Sequence, residues 1–233
     1  MQFSIKRVNA ILMKDWKDLL KNSYIIFTLA LPLIFAAWIG RIGEGNSALS
    51  GMIINLTLVI VGAFIQAAIV AEEKEKNTLR GLMLSPATTA EILIGKSALS
   101  ALMTIIIIIG SIFLAEFKIP SLPLFALTIL IGLIIYIAIG TILGLLSRTV
   151  METTIIGMPV MFILGMGSMF KTMIENEFIL EIMSYLPNEQ LDAIWTGLNS
   201  GQGVMTNFLI LLIWIVVILA LTFIIYGKRR FDN

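Results

Sequence analysis

Residues 72–96, EEKEKNTLRGLMLSPATTAEILIGK, hold most of what this chain could use for chemistry or contact. Paired carboxylates such as Glu72 and Glu73 can do acid–base work when a third group completes them. Here nothing does, because the chain contains no histidine and no cysteine. That removes His-based catalysis, Ser–His dyads, thiol nucleophiles and zinc sites with nitrogen or sulfur ligands. What the segment offers instead is a surface for contact. Thr78, Leu79, Leu82 and Met83 make a short apolar face closed by Ser85-Pro86, with Glu73, Glu75 and Arg80 as flanking charges. A short helix of this kind fits a groove on another protein, with the rim charges setting orientation more than affinity. Thr88 and Glu91 then have capping-box spacing, which predicts a helix from Thr88 through Lys96 into the apolar run that follows.

The elements that must hold this segment are dictated by composition. Apolar residues make up 58% of the 233 and charged residues 13%, against about 25% charged in an average soluble domain. The mean hydropathy of +0.99 does not suit a surface wetted on all sides. A spanning helix needs about 20 apolar residues, and uncharged stretches predict spans near 23–40, 51–71, 97–115, 124–146, 154–171 and 205–226. The fold class is therefore an all-α membrane protein with six transmembrane helices. The same reading expects an amphipathic interfacial helix over 1–22, a cytoplasmic helix near 73–84, and a short external helical segment within 172–204.

Basic residues orient the bundle. Lys6, Arg7, Lys14, Lys17 and Lys21 precede the first span. Lys74, Lys76, Arg80 and Lys96 lie between the second and third, Arg148 between the fourth and fifth, and Lys228, Arg229 and Arg230 after the sixth. Only Arg41, Lys118 and Lys171 fall on the other side. Both termini are expected in the cytoplasm. The N-terminal residues do not read as a cleaved signal. Val8, Ile11, Leu12, Trp16, Leu19 and Leu20 recur at helical spacing between charged residues, as in a helix lying in the headgroup region.

Polar and flexible residues within the spans mark a possible pathway. Asn55, Gly62 and Gln66 fall within a helical face about 40° wide. They either line a translocation path or bond and pack between helices. Met158, Met161 and Met166 share the fifth span with Gly157, Pro159, Gly165 and Gly167. They suit either an adaptable wall for apolar ligands or ordinary packing. In the external segment Phe178, Ile179, Ile182, Met183 and Leu186 make an apolar face. Glu175, Glu177, Glu181, Glu189 and Asp192 read as a solvated face rather than a metal site.

The 72–96 segment closely resembles the cytoplasmic loop of type-2 ABC exporter permeases. The shared features are the acidic start (Glu73, Glu75), Thr78-Leu79, Ser85-Pro86 and Ile92-Leu93-Ile94-Gly95-Lys96. Asn77 stands where a glycine commonly precedes the threonine, and Leu186-Pro187 matches an apolar-Pro pair before the last span. The resemblance covers essentially the whole chain as a single permease domain, 1–233. It implies an exporter's membrane half, powered by a separate ATP-binding subunit docked on the loop and paired with a second permease copy or close homologue. The coupling residues would be Glu73, Glu75, Thr78, Leu79, Arg80, Leu82 and Met83. No cofactor is expected on this chain, ATP and Mg residing on the partner, and no GxxxxGK[ST] phosphate loop is present. The chain is thus expected to be no enzyme itself and to bind no nucleic acid.

No acidic or basic residue lies in the middle of any predicted span. That favours an amphipathic or apolar cargo (drug, antibiotic or lipid-like molecule) over ion-coupled carriage. Export of a small ion, or a non-transporting assembly role, is the alternative. An intramembrane protease built on paired glutamates would want an arginine where Asn77 stands, and a histidine that the chain lacks.

Overall fold

The computed structural model describes residues 3–42, 47–76, 78, 81, 85–119, 121–200 and 203–229. Among them every regular element is helical. Six helices are long and apolar enough to cross a membrane: Ser23–Arg41, Gly51–Glu75, Thr89–Leu114, Leu122–Leu146, Val150–Phe170 and Met205–Lys228, called spans one to six below. Span two runs to Glu75, so Glu72, Glu73 and Glu75 belong to its last turns; beyond the turn at Lys76 the described residues Thr78 and Gly81 are again helical. Of the helix expected near 73–84, Asn77, Leu79, Arg80, Leu82 and Met83 lie outside the described residues.

Span two is the axis of the bundle, buried along its whole apolar length. Its middle, Leu58–Ile65, is a π-helix with every side chain buried. A π segment is uncommon and is tolerated where neighbours pack closely around it. Span four supplies that packing through Gly140 and Gly144, one turn apart. A Cβ at Gly140 would stand 2.1 Å from the Ala63 carbonyl oxygen, and one at Gly144 would stand 2.6 Å from that of Ala67. Two small residues four apart let the backbones touch, which is how helices associate where lipid gives no hydrophobic push. Spans one, five and six instead present large apolar side chains outward, among them Phe27, Trp38, Met151, Ile155 and Val216.

Two helices precede span six. Glu177–Ser184 is amphipathic, opened by the Asn176 side chain accepting from the Phe178 and Ile179 amides, and buries none of its residues. Pro187–Ser200 does the opposite. Its Leu191, Ile194 and Trp195 are buried in the main core with Leu58, Leu133 and Tyr136. The Trp195 indole donates to Thr128 Oγ1 at 2.9 Å. This second helix is therefore inserted among the spans.

The N-terminal helix, Ile5–Leu19, has the expected amphipathic character, packs along span three, and buries Ile11, Asp15 and Leu19. Gly95 makes that approach possible, because a Cβ there would stand 2.9 Å from Ile11 Cβ.

Candidate functional site

The bundle's basic end is held by buried charges that converge on Lys96, in the second turn of span three. Its ammonium donates to both oxygens of Asp15, at 3.1 and 3.2 Å, and lies 3.1 Å from Glu73 Oε1. All three side chains are buried. Lys14 reaches the same Glu73 oxygen. Thr78 Oγ1 donates to Glu73 Oε2 at 2.7 Å. One carboxylate at the end of span two thus fastens the interfacial helix, span three and the connecting loop together. Burial pushes the Asp15 carboxyl up from the usual range, and the neighbouring Lys96 charge opposes that rise.

A second carboxylate, Glu91, repeats the arrangement one turn earlier. It completes the capping box that the sequence predicts, with Glu91 N donating to Thr88 Oγ1 and Thr88 N to Glu91 Oε2. It also accepts from the Arg7 guanidinium at 2.6 and 3.0 Å and from the Ser4 amide. Fully buried, it pins the start of the interfacial helix to the start of span three.

The other side of the loop's root is tied as well. Lys74 Nζ donates to the carbonyls of Leu145 and Ser147, and Val150 N donates to Glu75 Oε2 at 3.2 Å. The end of span two is therefore anchored both to the interfacial helix and to the turn joining spans four and five. Oxygens of Asp15, Asp18 and Glu73 lie within 4.8 Å of one another, a separation that a cation could bridge. Lys96 and Lys14 already form ion pairs with all three groups.

Of the coupling residues expected from sequence, Glu73, Glu75 and Thr78 sit in this network, while Leu79, Arg80, Leu82 and Met83 lie outside the described residues. The pairing of Asp15 with Lys96 is an addition that the sequence reading does not contain. Its signal is present in the residues: Asp15 stands four residues from both Ile11 and Leu19, on the helix's apolar stripe.

Of the expected pathway residues, Gly62 and Gln66 both face spans three and four, and Asn55 faces the helix Pro187–Ser200. Asn55 donates to the Asn188 carbonyl, on that inserted helix, at 3.3 Å. Gly62 packs against Tyr136 and Thr104. Gln66 donates to Thr141 Oγ1 at 3.0 Å and accepts from Ser100 Oγ at 2.7 Å. Between Asn55 and Gln66 lies the π segment, whose wider turns void a reckoning made at α-helical spacing. All three residues are enclosed within the single chain, since the spanning part of span two is wholly buried. In span five Met158 faces outward, whereas Met161 and Met166 are half-buried.

The acidic outer segment also differs from expectation. Glu175, Glu177 and Glu181 are exposed, but Glu189 and Asp192 turn inward. Ser168 Oγ lies 2.7 Å from Glu189 Oε1 and 3.4 Å from Asp192 Oδ2, and Lys171 pairs with Glu189. Burial, with the Glu189 charge beside it, pushes the Asp192 carboxyl up to about 7. These two acids are part of the helix packing, because the helix that carries them is inserted rather than lying on the surface.

Comparison with known families agrees with this architecture. A family model described as ABC-2 family transporter protein matches residues 43–224. No curated protein matches the chain.

Proposed function

The chain belongs to the ABC-2 family of transporter proteins, and we propose that it moves amphipathic or apolar cargo outward as an exporter's membrane subunit. Membership makes it a multi-pass permease subunit of an ABC transporter, a class that works with an ATP-binding subunit. The finer reading rests chiefly on one observation, the buried network at the basic end. Glu73 joins the root of the 76–88 loop to Thr78, Lys14 and Lys96, and Lys96 joins it to Asp15. A loop rooted this way transmits a push from a docked ATPase to spans two and three and to the interfacial helix as one body. Thirteen of sixteen basic residues fall at this end by the predicted topology, which supports a cytoplasmic placement for it and for both termini.

The cargo class follows from the spans. Their middles carry amides and hydroxyls but no charge, and a charged cargo crossing there would meet no counter-ion. The outward apolar faces of spans one and five leave room for a second copy, which would complete a pathway between two permease halves. The test is transport into inverted membrane vesicles holding this chain and its ATP-binding subunit. ATP should drive accumulation of an amphipathic fluorescent dye. Accumulation of sodium tracer with no uptake of any amphipathic probe would overturn the cargo assignment in favour of a small ion.

A further inference from the structure

A lateral groove of about 490 Å³ lies between spans three, four and six, away from the charge network and walled almost wholly by apolar side chains. The groove exists because Ala98, Ala101 and Ala138 stand where larger side chains would fill it. Its three hydroxyls are already engaged within the protein, Ser97 Oγ accepting from Gln66 Nε2 at 3.5 Å. Thr141 donates to the Ile137 carbonyl at 2.9 Å and Thr222 to the Ile218 carbonyl at 2.8 Å. What remains is a hydrocarbon wall, of a volume within the range of small-ligand sites.

Its position says which hydrocarbon fits. The groove begins at Ala90, in the first turn of span three, where the chain enters the membrane at the basic end. It extends to Ile105, fifteen residues on and therefore about 22 Å along the helix. One leaflet with its head-group region is about 20–22 Å thick, so the groove covers a single leaflet from its head-group region to the bilayer centre. A molecule seated there has its tail in the groove and its head at the basic face. Span six, which walls the groove at Thr222 and Phe223, ends at Lys228 and is followed in sequence by Arg229 and Arg230. A cluster of basic residues next to a membrane span attracts anionic head groups.

We infer that this groove is a binding site for one acyl chain of an anionic glycerophospholipid from the leaflet at the basic face. The assignment does not depend on the proposed cargo, although Ser97 and Thr141 of its wall also bond Gln66. It would fasten spans three and six, which meet mainly through span four, by filling the space between them.

The experiment uses the whole chain reconstituted in vesicles of mixed phosphatidylcholine and phosphatidylglycerol. Either lipid carries a photoactivatable group in its acyl chain, and labelled peptides are located by mass spectrometry. Peptides covering 93–105 and 130–138 should be labelled by the phosphatidylglycerol probe over the phosphatidylcholine probe by about fivefold, the equivalent of one basic contact with an anionic head. Ala98→Phe/Ala101→Phe, which fills the groove from its half-exposed wall, should lower that labelling to the level seen on the outward face of span one. The milder Ala98→Leu should lower it partway if the double variant fails to fold. Equal labelling by both probes, or labelling unchanged by filling, overturns the assignment and leaves ordinary boundary lipid.

Discussion

The Lys96 ammonium and the Asp15 carboxylate form an ion pair buried at the basic end of span three, with Nζ 3.1 and 3.2 Å from the two oxygens. Asp15 belongs to a helix that does not cross the membrane, and Lys96 to one that does. Their pairing fixes the interfacial helix to the spans, and with Glu73 on the same ammonium it reaches the root of the loop.

Lys96→Met should therefore be severe. It leaves two buried carboxylates with Lys14 as their remaining cation, and breaking a buried pair costs about 3–5 kcal/mol. The thermal midpoint of the protein in detergent should fall sharply. Asp15→Leu/Lys96→Met should recover part of the loss, because the unpaired Asp15 charge is gone. A double variant no more stable than Lys96→Met contradicts the pairing.

Gly140→Val tests the contact between spans two and four. Its Cβ would meet backbone, the Ala63 carbonyl oxygen at 2.1 Å, so no side-chain rotation relieves the clash. Overpacking costs about 1–3 kcal/mol where side chains can give way, and here the loss should reach or exceed that range. Gly227→Val, where a Cβ meets nothing within 4 Å, should leave the midpoint unchanged in the same measurement.

Asp192 gives stability a pH dependence of definite sign. Its folded pKa of about 7 lies above the ordinary carboxylate value of about 3.9. Between those values the folded state holds a proton that the unfolded state lacks. Stability should therefore rise as pH falls from 8 towards 5, and level off above 7 where both states are ionised. Glu189, Lys171, Ser168 and Asn55 surround the group, so the slope belongs to the cluster. Asp192→Asn should flatten the curve of thermal midpoint against pH over that window. A slope unchanged by the substitution places the titration on another group.

Much of this is readable in the residues, and the failures have particular causes. The spans are legible because uncharged apolar runs of about 20 residues match the thickness of a bilayer and little else. Thr88 and Glu91 announce their helix start by spacing alone. Asp15 is legible too, as an acid on the stripe of Ile11 and Leu19, yet counting charges alone puts it on the wet side. The π segment at Leu58–Ile65 has no side-chain signature, so the angle between Asn55 and the pair Gly62 and Gln66 is not legible in the sequence. Glu189 and Asp192 look like solvated acids because only long-range packing by Leu191, Ile194 and Trp195 inserts their helix among the spans. Gly140 and Gly144 carry a signal in their spacing, but their partner becomes evident only in three dimensions.

The most direct test of the coupling account is recovery of the ATP-binding subunit with the tagged permease, comparing wild type with Leu79→Asp/Leu82→Asp. Both substitutions fall in the loop whose root Glu73 and Thr78 secure. Membrane insertion and pairing of permease copies should stay intact, while the ATP-binding subunit is lost on purification and cargo-stimulated ATP hydrolysis falls with transport. A double variant that retains the subunit in wild-type amount and transports normally would show that coupling runs through another part of the chain.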